Sequence, residues 1–204
     1  MNSSKNNIKV MEFTQDNYEV WHEFLEKSNN STLFHDLRFF EYHPNDRFEN
    51  HHLIFSKNDK IRALITGTKR FDEEGRAVYV SHSGASYGGF VYPMDNGIEE
   101  THDIVEAFLE WLKSNGYDAV RITPPPLYYS KLPHNHNEFV FLNKGFQIVK
   151  SELTSIVHLQ DTIEDNFNSF KPTARTATRK AYKEGLEVRF TEDFTEFYDI
   201  LKAI

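Results

Sequence analysis

The sequence predicts an α+β domain in three layers, a mixed central sheet flanked by helices, and three observations carry that expectation. Short period-two apolar runs alternate with stripes at helical spacing, in an order that mixes hairpins with a strand–helix–strand crossover. Phe, Tyr and Trp make up 15% of the 204 residues, 18 of them Phe, which supplies a core that disordered chains lack. Neither an internal repeat nor a low-complexity tract is present, so solenoids and arrays are excluded.

Each element has its own signal. Ile8 to Phe13 alternates as a strand. Tyr18, Trp21, Phe24, Leu25 and Ser28 follow helical spacing, which predicts a helix over 15–28 broken by Asn29-Asn30-Ser31. Phe34 to His43 reads as a second short helix, stopped by Pro44. His52 to Ser56 and Ile61 to Lys69 form a hairpin about Lys57-Asn58-Asp59-Lys60, and Ala77 to Ser81 follows the turn Asp72 to Gly75. A glycine-rich loop, Ser83 to Gly89, leads into Phe90-Val91-Tyr92. Residues 98–115 are the clearest helix, with Ile98, Thr101, Ile104, Val105, Phe108, Leu109 and Leu112 on one face and Asn115-Gly116 as its close. Asp118 to Ile122 is a short buried strand ended by Pro124-Pro125-Pro126. A helix near 137–144 and a long strand from Phe146 to Leu159 complete a domain over residues 1–160.

Residues 161–204 differ. Ile163 to Phe170 reads as a helical turn, Pro172 opens a helix that runs to Glu184 with Gly185 as its stop, and Glu187 to Phe190 is strand-like. Phe194, Phe197, Tyr198 and Leu201 then recur at helical spacing. So few elements cannot bury a core of their own. They are expected to open a second, incomplete domain or to dock on the first, the last helix being covered by a homodimer contact.

Composition limits the function. A mean hydropathy of −0.62 and the lack of any apolar run near the roughly 20 residues of a membrane span predict a soluble chain without a transmembrane segment. Met1 to Asn7 is followed by no apolar leader core, so a cytoplasmic location is expected. With no Cys, disulfides, thiolate nucleophiles and cysteine-type zinc or iron–sulfur sites are excluded. A net charge of −8 argues against general nucleic-acid binding, DNA included, so any basic patch must be local.

The element order resembles the GNAT acyltransferase fold, and three segments sharpen the likeness. Phe141-Leu142-Asn143-Lys144-Gly145-Phe146 is similar to the helix, Gly-Phe and strand that end GNAT domains. Pro126-Leu127-Tyr128-Tyr129, with Asn137-Glu138 beyond it, resembles a proline–tyrosine segment of Fem-type proteins of cell-wall and polysaccharide assembly. Arg175 to Val188, with Arg179-Lys180-Ala181-Tyr182-Lys183 at its centre, resembles the segment that opens the second domain of that family. The chain is thus identified as resembling the Fem-type tandem GNAT N-acyltransferases. The resemblance implies a first GNAT-like domain with a degenerate acyl-CoA site over 1–160, and the opening of a second GNAT-like domain over 161–204.

The implied activity is acetyl or aminoacyl transfer to an amino group of a sugar nucleotide, peptidoglycan precursor or small amine. The donor would be acyl-CoA (acetyl-CoA) or aminoacyl-tRNA, with no metal, and this chain would form the acceptor side and be inactive alone. Two other classes stay open: a non-catalytic GNAT-like binding module, and a tRNA-contacting module that uses the basic helix 171–183.

A working acyl-CoA site in such a fold sets a glycine turn at the start of the long helix, where backbone N–H groups face the pyrophosphate. Here Tyr92 to Glu100 has one glycine, no base and the acids Asp95, Glu99 and Glu100, a set that repels a phosphate. The loop Gly84 to Gly89 is either a bulge between strands or a cradle for a phosphate or sugar, with Tyr87 as the contact. Lys171, Arg175, Arg179 and Lys183 fall along one drifting helical stripe, either a solvated face or an anion site built on the guanidinium forks of Arg175 and Arg179. Arg121 is expected on a second wall, and Tyr128, Tyr129, Glu138 and Tyr182 are the remaining substrate-binding candidates. The pair His134 and His136 is weighed as a metal cluster and set aside in favour of a polar loop. The sequence supports no covalent nucleophile and identifies no catalytic base.

Overall fold

The computed structural model describes residues 8–44 and 46–203; the N-terminal residues read above for a leader, and Ile204, lie outside them. Two compact units divide between Glu152 and Leu153.

In chain order the first unit contains β1 (Lys9–Glu12), α1 (Tyr18–Lys27), β2 (Glu49–Asn50), β3 (Leu53–Lys57), β4 (Lys60–Thr66), β5 (Thr68–Phe71), β6 (Ala77–Ser81), β7 (Gly89–Val91), α2 (Ile98–Ser114), β8 (Ala119–Ile122) and α3 (His136–Asn143). Instead of one mixed sheet there are two four-stranded sheets, in the orders β1-β3-β4-β7 and β2-β5-β6-β8. The first is antiparallel throughout, and the second contains one parallel pair, β6 with β8. The split has a local cause. The strand predicted over 61–69 breaks at Gly67, and its partner breaks over the loop 82–88, so two ribbons bend together.

Gly67 is needed there because a β-carbon would stand 2.0 Å from Cζ of the buried Tyr79 ring. The β3–β4 hairpin turns through Asn58 and Asp59, both at left-handed φ (51° and 60°), which is the primed turn that matches strand twist.

Period-two alternation sorts the first sheet into two faces. Ile54, Leu64 and Val91 meet Trp21 and Leu25 of α1. Leu53, Phe55, Ala63, Ile65, Phe90 and Tyr92 face Ile104, Val105, Phe108 and Leu112 of α2, and Val140 of α3 joins them. The expected three layers are present, helix on both sides of this sheet. In α2 the buried positions follow the predicted stripe, and Gly116 (φ 73°) lets the chain leave after the cap at Asn115.

Three expected elements differ. Residues 33–40 form two 3-10 turns, Leu33–His35 and Leu37–Phe40, in place of a helix, because extended Asp36 (ψ 119°) separates them and its carboxylate accepts from Arg38 N at 3.0 Å. Phe146 to Leu159, expected as a long strand, forms none, because no neighbouring strand takes up its backbone groups; Val149, Leu153 and Leu159 are exposed. Glu187 to Phe190 forms none either, for the same reason.

The second unit, taken by itself, holds α4 (Ile163–Ser169), α5 (Pro172–Lys183) and α6 (Thr195–Lys202), and no strand among its described residues. Thr162 caps α4 by accepting from Asp165 N at 3.0 Å, and Pro172 opens α5 at its first turn as predicted. Phe194, Phe197, Tyr198 and Leu201 on and beside α6 are exposed. No helix among the described residues is long and apolar enough to cross a membrane.

Candidate functional site

The mouth of the first unit is the place where the pairing of β6 and β8 stops. Their parallel ladder ends at Ser81↔Ile122, and one further bond joins Gly88 N to Thr123 O at 2.8 Å. Pro124, Pro125 and Pro126 follow and have no N–H to donate, so the ladder cannot continue. β7 therefore keeps a free edge, which the segment 28–30 covers. Asn30 donates from Nδ2 to Phe90 O at 2.8 Å and accepts from Tyr92 N at 2.9 Å. Asn29 N donates to Tyr92 O at 2.7 Å, while its side-chain amide donates to Leu132 O (2.9 Å) and accepts from Leu132 N (2.8 Å). The buried Tyr92 hydroxyl donates to Asn137 Oδ1 at 2.5 Å, and burial holds it well above the usual phenol range. Asn29-Asn30, read in the sequence as a helix breaker, is thus the clasp between α1, β7 and the loop before α3.

Replacing Asn30 with Ala leaves Phe90 O and Tyr92 N without protein partners. The expected loss is about 2 kcal/mol, two bonds at roughly 1 kcal/mol each. Urea unfolding measures it, and a loss under about 0.5 kcal/mol would mean that water serves the edge as well.

Aromatic rings rim the mouth. Tyr87 stands 5.6 Å from Phe34 and 6.0 Å from Tyr129, each measured between ring centroids. Tyr128 and Tyr129 lie on a 3-10 turn, Leu127–Tyr129, and both are exposed. Next to Phe34, His35 is fully buried; its Nδ1 accepts from Thr32 N at 3.0 Å and its Nε2 has no hydrogen-bond partner. Burial lowers the His35 imidazole to about 4, partly offset by the backbone of Gly88 and Gly89. The ring is neutral at pH 7.

The glycine loop is a packed bulge. A β-carbon on Gly88 would come within 2.5 Å of the Ser81 carbonyl, and one on Gly84 within 2.8 Å of His43 Nε2. Gly89 N donates to Ser81 Oγ at 2.6 Å and Ala85 N to His82 O at 3.3 Å, so these N–H groups serve the loop itself.

The N-terminus of α2 is acidic, with one addition that spacing does not show. Arg62 of β4 reaches across to Glu100 (2.6 Å) and Asp95 (3.0 Å). That leaves Asp95, Glu99 and Glu100 against one guanidinium, still an unfavourable field for a pyrophosphate. Together with the covered edge of β7, the residues present do not fit an acyl-CoA donor.

The sequence candidates distribute as follows. Tyr87 and Tyr129 come together, with Tyr128 beside them. Arg121 is exposed on β8, opposite Val80, and Glu138 is exposed in the first turn of α3 rather than on a loop. Arg175, Arg179 and Tyr182 all lie on α5 in the second unit. There Arg175 donates to Asn168 O at 2.8 Å, and Arg179 stacks 5.0 Å over the Phe167 ring. The His134 and His136 rings stack at 4.0 Å, and no group of three ligand-type side chains is found among the described residues. Phe34, Asn29 and Asn30 were missed because the partners that bring them to the site lie more than 50 residues away and leave no local pattern, and His35 because its burial is tertiary.

No family model and no curated protein matches the chain. Among solved structures, a GNAT family acetyltransferase from Staphylococcus aureus is similar at 15% identity and a TM-score of 0.43, covering 74% of this chain and 99% of its own. Glucosamine-6-phosphate N-acetyltransferase from Arabidopsis thaliana gives 13%, 0.44 and the same coverages. An aminoglycoside acetyltransferase from a soil metagenome gives 8% identity and 0.46, over 77% of this chain and 99% of that one.

Proposed function

We propose that the first unit is a GNAT-type domain serving the acceptor side of a Fem-like N-acyltransferase, and that it has no acyl-CoA site of its own. The observation that carries this reading is the mouth between β6 and β8, rimmed by Phe34, Tyr87 and Tyr129, in a domain whose donor-side features are blocked by Asn30 and by the acids of α2. Aromatic faces at the mouth suit a sugar or nucleobase carrying the amine. In the second unit, taken by itself, Arg175 and Arg179 of α5 are the candidates for contact with an anion. Direct attack by that amine on an acyl carbonyl needs positioning and a proton acceptor, and neither His35, fully buried, nor any other group of this chain is assigned as the base.

Calorimetry on the intact chain tests the reading. Acetyl-CoA is expected to show no saturable binding up to about 1 mM, a ceiling near −4 kcal/mol. A nucleoside-diphosphate-linked amino sugar is expected to bind, and Tyr87→Ala with Tyr129→Ala to weaken it about tenfold. Tight binding of acetyl-CoA, or none of the sugar nucleotide, would overturn the proposal. Charge reversal at Arg175 and Arg179 tests the tRNA alternative, which requires a reduced salt slope for tRNA.

A further inference from the structure

The first unit has a second concavity that shares no lining residue with the aromatic rim of the mouth. It encloses about 300 Å³, the lower end of the range for small-molecule sites, and is lined by Glu12, Phe13, Phe40, Glu41, His43 and Phe48, among others. Its walls come from four places in the chain: the end of β1, the 3-10 turns, the segment before β2, and the start of β3. The rings form a continuous apolar wall. Phe40 lies 4.0 Å from His82 and 6.0 Å from His52, and Phe48 lies 4.9 Å from His43, all between centroids.

We propose that this pocket binds an organic ammonium ion carrying a small apolar body. Two carboxylates and three phenyl faces line it, and no Lys or Arg does among the described residues. That combination attracts a cation twice, through charge and through the negative faces of the rings. The Phe48 ring already accepts a resident cation, since the Arg47 guanidinium sits 5.3 Å from its centroid. His43 is more than nine-tenths buried and its Nε2 lies beside Gly84, so its ring packs the wall and brings no exposed polar atom to the pocket.

His52 adds no competing charge. Its Nδ1 accepts from Gly67 N at 3.2 Å, which fixes the neutral tautomer, and burial and the neighbouring imidazoles hold its proton affinity down to about 3. Glu12 lies 3.7 Å from His51 Nδ1 and is half-exposed, so its carboxylate can turn to a ligand at the rim. An anionic ligand would meet both carboxylates, while the Arg47 guanidinium is engaged on the Phe48 ring. The inference is independent of acyl transfer.

Calorimetry with the intact chain tests it, using three probes of one shape: benzylammonium, benzyl alcohol and benzoate. Benzylammonium is expected to bind saturably, benzyl alcohol about tenfold more weakly, and benzoate not at all. Glu41→Gln and Phe48→Leu should each weaken the ammonium about fivefold, with thermal unfolding of each variant checked so that a folding defect is not mistaken for lost binding. Tyr87→Ala, at the mouth, should leave the affinity unchanged. Equal affinity for the alcohol and the ammonium would overturn the proposal. So would no saturable binding, or loss of binding in Tyr87→Ala, which would place the ligand at the mouth.

Discussion

Lowering the pH from 7 to 5 is expected to remove about 6 kcal/mol from the folding free energy of the first unit, enough to unfold a domain of ordinary stability. Three buried imidazoles cause it. Burial lowers His35 to about 4; burial and then the neighbouring rings of His82 and His51 lower His52 to about 3; burial, partly opposed by the Ser83 backbone, lowers His82 to about 4. The ordinary value is 6.5 in each case.

The direction follows from which state takes the proton. Below 6.5 the unfolded chain binds protons that the folded chain refuses, so stability is whole above that pH and falls as pH drops toward 4 and 3. Each group contributes about 1.4 kcal/mol per unit of pH inside that window, hence about 2 kcal/mol at pH 5. Urea unfolding followed from pH 7.5 to 5 should show a slope approaching three protons. In His35→Gln the slope should fall by about one proton, a readout separate from whatever that substitution does to stability at pH 7. A flat profile down to pH 5 would refute the argument.

Gly67→Ala is expected to cost about 3 kcal/mol or more, beyond the usual range for a surface change. The new methyl would stand 2.0 Å from Cζ and Oη of Tyr79. That ring has nowhere to move. It is fully buried, packed edge-on against Phe108 at 5.2 Å and Tyr117 at 5.6 Å, and its hydroxyl donates to His51 O at 2.9 Å. Backbone strain plays no part, because Gly67 is not among the glycines at positive φ. The check is a double-mutant cycle with Tyr79→Leu. The leucine alone leaves a cavity, but in its presence the alanine has room, so the pair should cost at least 1 kcal/mol less than the sum. Strict additivity would place the cost of the alanine somewhere other than the ring.

The contrast between Gly67 and α2 shows what the chain makes legible. Residues 98–114 carry a stripe at helical spacing and an Asn-Gly close, and both the helix and its buried face follow from them. At Gly67 the alternation runs straight through, and only the ring of Tyr79, twelve residues on, requires the bend that parts the two sheets. Phe146 to Leu159 fails the other way. Its apolar and β-branched residues suit a strand, but a ladder is made by two strands and the pattern reports only one.

The candidate site divides along the same line. Tyr87 was marked by a glycine loop, and Tyr128 and Tyr129 by their resemblance to a proline–tyrosine segment, all of them contiguous signals. The clasp at Asn29-Asn30 and the histidines at 43, 52 and 82 converge only through topology. Arg62 likewise reaches the acids of α2 from a strand more than 30 residues earlier.

The paired bends have a consequence for cooperativity. β4 continues into β5 through one residue, β6 continues into β7 through one loop, and each ribbon therefore belongs to both sheets. Leu53, Phe55, Ala63 and Ile65 of the first sheet share a single core cluster with Ala77 and Tyr79 of the second. Neither sheet can melt while the other persists, because melting one strips covalently continuous strands and shared side chains from its neighbour. The first unit is thus expected to unfold as one foldon, in which a proton at His52, a methyl at Gly67 and a lost amide at Asn30 all draw on one equilibrium.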